Sequence, residues 1–157
     1  MLIYNSLSRK KEPLKTKGDG KTTNIFVCGP TVYDYPHIGN ARTYLVFDAF
    51  VKYLRARNRK IFYLQNITDI DDKIIGRAKE IRINPKILAE KYQKTYLKTM
   101  KQLGIDSINK YARATRYIPQ IVGQIKILIR KGHIYKINND GYYFDVTTFK
   151  DYGKLAH

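Results

Sequence analysis

The sequence predicts an α/β fold in which a parallel sheet is flanked by helices. Ile25-Phe26-Val27 is a short apolar run rich in β-branched and aromatic residues, which favours a buried strand. Apolar side chains then recur at helical spacing over residues 41–57, and Ile61-Phe62-Tyr63-Leu64 again has the composition of a strand. Strand, helix and strand in this order imply a right-handed βαβ unit, so the two strands should lie parallel in one sheet.

A short strand and a polar segment precede this unit. Residues Leu2 to Ser6 have the composition of a strand. The segment from Ser8 to Thr23 is polar and contains one proline and two glycines, which predicts a loop or an edge segment.

The helix of the βαβ unit has a predicted inner face and a basic end. The helix dipole favours cations at its carboxyl-terminal end, where the sequence has Arg55, Arg57, Arg59 and Lys60. The side chains expected to point toward the core are Leu45, Phe47, Phe50, Val51 and Leu54.

Two more helices are predicted after the second strand. Asp69, Asp71 and Asp72 open the first, which should run to about Arg82. Pro85 begins the second, which should reach about Leu103 and end at Gly104. The inner positions expected for this second helix are Ile87, Leu88, Tyr92 and Leu97.

The last third of the chain predicts a crossing segment, one helix and a hairpin. Residues 106–116 are polar and basic, so we expect them to cross between two substructures. Ile118 to Ile129 is amphipathic and predicts a helix stopped by Gly132. His133 to Ile137 and Tyr142 to Val146 flank a turn-forming Asn-Asn-Asp-Gly sequence, which predicts a β-hairpin.

The chain is strongly basic. Its 157 residues are enough for one domain with a core, and 43% of them are hydrophobic. The formal net charge of +17 favours a polyanionic partner, with nucleic acid preferred over a membrane. A general lysine-rich composition bias is the alternative explanation of the charge.

Cysteine content and hydropathy favour a soluble cytoplasmic protein. The single cysteine excludes an internal disulfide and fits a reducing compartment. The amino terminus lacks the apolar region of a signal peptide, and no apolar run approaches the ~18 residues of a membrane span.

A candidate phosphate site lies where the first strand of the βαβ unit passes into its helix. The loop after Val27 leads to Pro36, and His37-Ile38-Gly39-Asn40 then begins the helix. A helix amino terminus offers free backbone N–H groups and a positive dipole end to phosphate. His37 and Asn40 are three residues apart and can project from the same face, although His37 as a simple helix-start residue is an equal alternative.

Two longer blocks indicate a family. Cys28-Gly29-Pro30-Thr31-Val32-Tyr33-Asp34 and His37-Ile38-Gly39-Asn40-Ala41-Arg42 resemble the ATP-binding signature of class I aminoacyl-tRNA synthetases, and the Cys28-Gly29 opening narrows the resemblance to cysteinyl-tRNA synthetases. Asn66-Ile67-Thr68-Asp69-Ile70-Asp71-Asp72-Lys73 resembles a second block of that family. The similarity runs from Tyr4 to Leu155, with Asn40 where the family usually has a second histidine.

This resemblance implies a domain organisation. Residues 1–110 would form the first half of a Rossmann-like class I catalytic domain, and residues 111–157 the start of an inserted α+β subdomain. The chain would then be the amino-terminal portion of a longer enzyme, and we expect it to be inactive alone.

The resemblance also implies a reaction and its site. The family activates cysteine with ATP, accompanied by Mg²⁺, to cysteinyl-adenylate and transfers the cysteine to tRNA(Cys). The resemblance implies that His37 and Asn40 are catalytic. It implies ATP binding by Pro30, Thr31, His37, Gly39 and Asn40, and cysteine binding by Cys28, Gly29, Thr31, Thr68 and Asp69.

Zinc is implied at Cys28. In the family this cysteine is one of four zinc ligands, and the other three, a Cys, a His and a Glu, would come from sequence beyond residue 157. From the residues alone, one cysteine is not a metal site, and a small buried hydrophobic side chain is the favoured interpretation of Cys28; the resemblance reverses this preference.

Alternatives remain open at several positions. Thr68, Asp69 and Asp71 also suit helix caps. The side chains that suit either the acceptor end of tRNA or solvated helix faces are Lys110, Tyr111, Arg113, Arg116, Tyr117, Arg130 and Lys131. Two other functions fit the sequence: a small nucleotidylyltransferase that shares the His-x-Gly phosphate site, and a non-catalytic basic RNA-binding module.

Overall fold

A computed structural model of the chain describes residues 1–14 and 22–156. Part of the predicted loop or edge segment, residues 15–21, lies outside the described residues, as does His157. The described residues divide into two compact units, one of residues 22–116 and one of residues 1–14 with 117–156. The boundary predicted between residues 110 and 111 stays a prediction.

The larger unit is built on a three-stranded parallel sheet. Its strands are β3 (Thr22–Val27), β4 (Lys60–Ile67) and β5 (Lys110–Arg113), in the order β3-β4-β5. Both pairs of neighbours are parallel, as the predicted βαβ unit requires. The first two strands, β1 (Leu2–Asn5) and β2 (Lys10–Pro13), belong to the smaller unit and form an antiparallel pair.

The strand β5 corrects the sequence prediction for residues 106–116. The polar segment was expected to be a crossing, yet its middle pairs with β4 from Leu64↔Lys110 to Ile67↔Arg113. Asn109 fixes the start of this pairing, because its side-chain Oδ1 accepts a hydrogen bond from the backbone N–H of Tyr63 at 2.8 Å. A four-residue strand that is held by backbone hydrogen bonds at a sheet edge needs no apolar alternation.

Three helices belong to the larger unit: α1 (Ile38–Ala56), α2 (Asp72–Glu80) and α3 (Pro85–Gln102). Each lies within three residues of its predicted limits. The residues of α1 that are buried are Ala41, Tyr44, Asp48, Val51 and Leu54. The prediction was therefore right for Val51 and Leu54 and wrong for Leu45, which is 41% exposed.

The inner face of α3 was also predicted in part. Leu88 and Tyr92 are buried as expected, whereas Ile87 is 61% exposed. The buried face continues through Tyr96, whose hydroxyl donates to Gln65 Oε1 at 2.5 Å and whose ring lies 5.8 Å from that of Tyr44. These contacts join α1, β4 and α3 in one core.

Asp48 is a buried carboxylate that ties α1 to the segment before β5. Only 4% of the residue is exposed, and its Oδ1 accepts the backbone N–H groups of Asp106 at 3.1 Å and Ser107 at 2.9 Å. Burial raises the pKa of this carboxyl, but the hydrogen bonds from Lys52 and Ser107 outweigh it and leave the pKa below its usual value. The sequence had given no sign of this role.

Replacing Asp48 should destabilise the chain. Asp48→Ala leaves the buried N–H of Ser107 without an acceptor, which costs about 2 kcal/mol. Asp106→Ala is the matched control, because Asp106 pairs with the same Lys52 at 2.7 Å through a side chain that is 77% exposed. Such an exposed pair contributes less than about 1 kcal/mol. Urea unfolding measures the stability of both variants. Equal losses in the free energy of unfolding would show that the hydrogen bonds of Asp48 to the segment before β5 do not stabilise the chain.

The smaller unit contains the β1–β2 pair, one helix and a second antiparallel pair. The helix is α4 (Ile118–Arg130), and the strands are β6 (Ile134–Ile137) and β7 (Gly141–Phe144), paired as the predicted hairpin. A short 3₁₀ helix lies at Val146–Thr148, and another, Ala114–Tyr117, lies in the chain where the larger unit ends and the smaller one resumes. No helix in the described ranges is long and apolar enough to cross a membrane.

Candidate active site

The site lies where β3 and β4 end, at the same edge of the parallel sheet. The two loops that follow these strands run side by side: Thr31 and Thr68 form an isolated parallel bridge. Thr68 N–H donates to the carbonyl of Pro30 at 3.0 Å, and Val32 N–H donates to the carbonyl of Thr68 at 3.1 Å. Thr31 and Thr68, both predicted for the cysteine pocket, are therefore neighbours.

Gly29 lies against β4 so closely that no side chain fits. Its N–H donates to the Asn66 side-chain Oδ1 at 2.7 Å, and a Cβ atom on Gly29 would lie 1.7 Å from the carbonyl oxygen of Asn66. The Asn66 Nδ2 donates onward to Thr68 Oγ1 at 3.2 Å. Asn66 thus links the two loops, a role that its place in the second sequence block did not reveal.

Cys28 is exposed at the end of β3. Its carbonyl oxygen accepts from the Tyr44 hydroxyl at 3.4 Å, and burial, with a smaller contribution from Cys28 itself, raises the pKa of Tyr44 to about 12. Exposure rules out the alternative of a small buried hydrophobic side chain. Within the described ranges no three His, Cys, Asp or Glu residues are grouped to hold a metal ion, so these residues do not by themselves fit the zinc site that the resemblance implies.

His37 and Asn40 form a reciprocal capping box at the start of α1. The His37 Nδ1 accepts the N–H of Gly39 at 3.1 Å, and the His37 N–H donates to Asn40 Oδ1 at 3.2 Å. A neutral imidazole whose Nδ1 accepts carries its proton on Nε2. The cap therefore leaves two donors, His37 Nε2–H and the Asn40 amide group, for another partner. His37 as a helix-start residue and His37 as a ligand-binding residue are compatible.

These donors line a cavity of about 250 Å³. Of the residues predicted to bind ATP, Pro30, Thr31, His37 and Asn40 line it, while Gly39 supplies the N–H that fixes the His37 ring. The cavity is also lined by Gly29, which was predicted to bind cysteine, and by Tyr33, Asp34, Tyr35 and Lys73. Tyr33, Asp34 and Lys73 lie in the sequence blocks that carry the resemblance, but no individual binding role was predicted for them.

Asp69, which is also predicted to bind cysteine, is buried and its carboxylate already has hydrogen-bond partners. It is 6% exposed, and its carboxylate accepts from Arg113 Nε at 2.8 Å, Thr115 N–H at 2.9 Å and Thr115 Oγ1 at 2.6 Å. Burial raises the pKa of Asp69, but the hydrogen bonds from Thr115 and Arg113 outweigh it and hold the pKa below its usual value. The alternative of Asp69 as a helix cap is wrong, because Asp71 is the residue that caps α2.

Asp69 lines a second, larger cavity of about 560 Å³ together with Ile70, Ile74 and Arg113. Neither Thr31 nor Thr68 lines that cavity, whereas Gly29 and Thr31 line the smaller one. Arg113 was a candidate for contact with tRNA, and its Nε forms an ion pair with the nearly inaccessible Asp69 carboxylate.

Comparison with known proteins identifies similar chains. The family model described as the tRNA synthetases class I (C) catalytic domain matches residues 14–157. The cysteine–tRNA ligase of Thermoplasma volcanium is 52% identical over 157 residues, which is the whole of this chain and 34% of the relative. That of Pyrococcus abyssi is 49% identical over 154 residues, which is 98% of this chain and 32% of the relative.

Solved structures of other synthetases share the fold. Mycobacterium tuberculosis methionyl-tRNA synthetase, in complex with methionyl-adenylate, matches with a TM-score of 0.64 and 20% identity over 71% of this chain and 23% of its own. The leucyl-tRNA synthetase of Agrobacterium radiobacter, in a ternary complex with tRNA, matches with a TM-score of 0.65 and 19% identity over 77% of this chain and 16% of its own. At this level of identity the likeness concerns the fold, which is the predicted Rossmann-like α/β fold.

Proposed function

The chain belongs to the family of class I (C) tRNA synthetase catalytic domains, and from that premise we propose that it supplies the ATP- and cysteine-binding loops of a cysteine–tRNA ligase. It spans about a third of the length of the curated relatives it matches, 34% in the case of the Thermoplasma volcanium enzyme. The activity is therefore proposed for a protein that includes this chain.

The observation that carries the proposal is the capping box beside the cavity. In the proposed reaction the carboxylate of cysteine attacks the α-phosphorus of ATP, a new P–O bond forms, and pyrophosphate leaves with the electron pair of the broken P–O bond. Negative charge grows on the phosphate oxygens as this happens. His37 Nε2–H and the Asn40 amide are fixed donors for that charge, since the hydrogen bonds of the cap hold both side chains in place before ATP binds.

The cysteine substrate is assigned to the adjoining edge of the sheet, at Cys28, Gly29, Thr31 and Thr68. The hydrogen bonds of Asn66 hold Gly29 and Thr68 in a fixed relation, which supports a preformed site. Zinc bound through Cys28 stays an expectation from the family, and we assign no step to it. Transfer of the cysteine to tRNA(Cys) is proposed on the same family basis, and the net charge of +17 is consistent with an RNA partner.

The proposal is tested in a chimera in which the remaining region of the Thermoplasma volcanium enzyme follows this chain. We expect cysteine-dependent exchange of pyrophosphate into ATP from the chimera and none from the chain alone. Exchange that proceeds equally well without cysteine would contradict the proposal and favour a nucleotidylyltransferase. RNA binding by a folded chimera that neither binds ATP nor exchanges pyrophosphate would favour a non-catalytic RNA-binding module.

A further inference from the structure

Lys73 lies at the amino-terminal end of a helix, which is an unusual position for a cation. It lies in the first turn of α2, two residues after the N-cap Asp71, whose Oδ1 accepts the backbone N–H of Lys73 at 2.9 Å. Cations are disfavoured at this end of a helix, because the helix dipole is positive there. In the described part of the chain the ammonium of Lys73 forms no ion pair that would offset this.

The side chain of Lys73 lines the proposed ATP cavity, and it also lines a neighbouring cavity that Arg77 and Glu80 border. Its Nζ lies 5.8 Å from the centre of the Tyr33 ring, and both residues line the cavity together with His37 and Asn40. Lys73 is the only lysine or arginine among the described residues that line it. One carboxylate, that of Asp34, lines it too, and it accepts the backbone N–H of Tyr35 at 2.8 Å.

We propose that Lys73 binds the terminal phosphates of ATP in this cavity, an inference that rests on the proposed function. His37 and Asn40 offer neutral donors from α1, and an ammonium on a flexible four-carbon stem from α2 adds the charge that a triphosphate requires. The contact with Tyr33 is worth little at an exposed site, so the ammonium can leave the ring for a phosphate oxygen. The groups that bind phosphate then come from α1, which follows β3, and from α2, which follows β4.

The inference is tested on the whole chain by NMR titration with inorganic tripolyphosphate. Lys73→Gln removes the charge, and Lys79→Gln is the matched control, since it makes the same change in the last turn of α2 at an exposed position that does not line the cavity. We expect Lys73→Gln to weaken the affinity about tenfold, the loss of one charge-assisted hydrogen bond, and Lys79→Gln to leave it unchanged. Lys73→Arg, which keeps the charge, should stay close to the parent.

Three results would overturn the inference: equal weakening by Lys73→Gln and Lys79→Gln, no effect of Lys73→Gln when its amide spectrum shows an intact fold, and no saturable binding of tripolyphosphate by the parent. Pyrophosphate exchange by the chimera tests the proposed function separately. Cysteine-dependent exchange together with equal tripolyphosphate affinities of Lys73→Gln and Lys79→Gln would overturn the assignment of Lys73 alone.

Discussion

His37→Ala is expected to slow cysteinyl-adenylate formation by about 10²–10³-fold in the chimera while leaving cysteine binding nearly unchanged, a loss of roughly 3–4 kcal/mol of transition-state stabilisation. In the proposed reaction the Nε2–H of His37 bonds a phosphate oxygen most strongly as charge builds, so its loss should affect the transition state more than the ground state. Single-turnover adenylate formation is the appropriate measurement, because it separates chemistry from product release.

The same substitution removes the cap of α1, so a loss of rate must be separated from a loss of structure. His37→Asn is the matched control, since asparagine is among the best N-cap residues and has no donor that reaches as far as the imidazole Nε2. We expect His37→Asn to regain the stability that His37→Ala loses, measured by urea unfolding of the chain, and to stay slow in adenylate formation. If His37→Asn were as fast as the parent, His37 would be a cap and nothing more.

Gly29→Ala is expected to damage both the fold near the site and the reaction. The added Cβ would lie 1.7 Å from the carbonyl oxygen of Asn66, so the loop after β3 must move away from β4. Overpacking of this kind costs about 1–3 kcal/mol of stability. A displacement of about 1 Å at a site of this kind reduces the rate by about 10²-fold, so we expect at least that loss in adenylate formation by the chimera.

Gly123→Ala is the control for Gly29→Ala, because it makes the same chemical change at a position where, apart from its chain neighbours and the backbone of its own helix, no atom lies within 4 Å of the added Cβ. Gly123 is inside α4, where alanine should stabilise the helix by about 0.5–1 kcal/mol. Urea unfolding of the two variants should therefore give changes of opposite sign. A Gly29→Ala chain as stable as the parent would show that the close approach to Asn66 is not required.

Much of the fold could be predicted because its main elements carry strong periodic patterns. The apolar repeat located α1, and Asp71 and Pro85 marked the starts of α2 and α3. The strand β5 was missed because Lys-Tyr-Ala-Arg has no apolar alternation and is fixed by its pairing with β4. The buried Asp48 was missed for a related reason, since its partners lie 58 and 59 residues further along the chain.

The part of the candidate site that could be predicted is the position of its loops, because the order of the parallel strands determines it. The carboxyl ends of neighbouring parallel strands meet at one edge, so Thr31 and Thr68 could be expected to lie together. Asn66 links the loop after β3 to the loop after β4. The distance between these two loops is set by the packing of the strands, and no local sequence pattern encodes it. Asp69 carried two interpretations from the sequence, pocket and cap. The cap of α2 is Asp71, and the carboxylate of Asp69 accepts hydrogen bonds from Arg113 and Thr115, while its role in the cysteine pocket stays a prediction.

The most direct test of the account is to locate ATP on the chain itself by backbone amide NMR. At millimolar ATP we expect saturable changes in the chemical shifts of four amides in or near the capping box of α1, those of Thr31, Gly39, Asn40 and Lys73. The hairpin of β6 and β7 should be unaffected. Shift changes that appear in residues 117–156 and leave those four amides unchanged would contradict the placement of the ATP site in the cavity that His37 and Asn40 line.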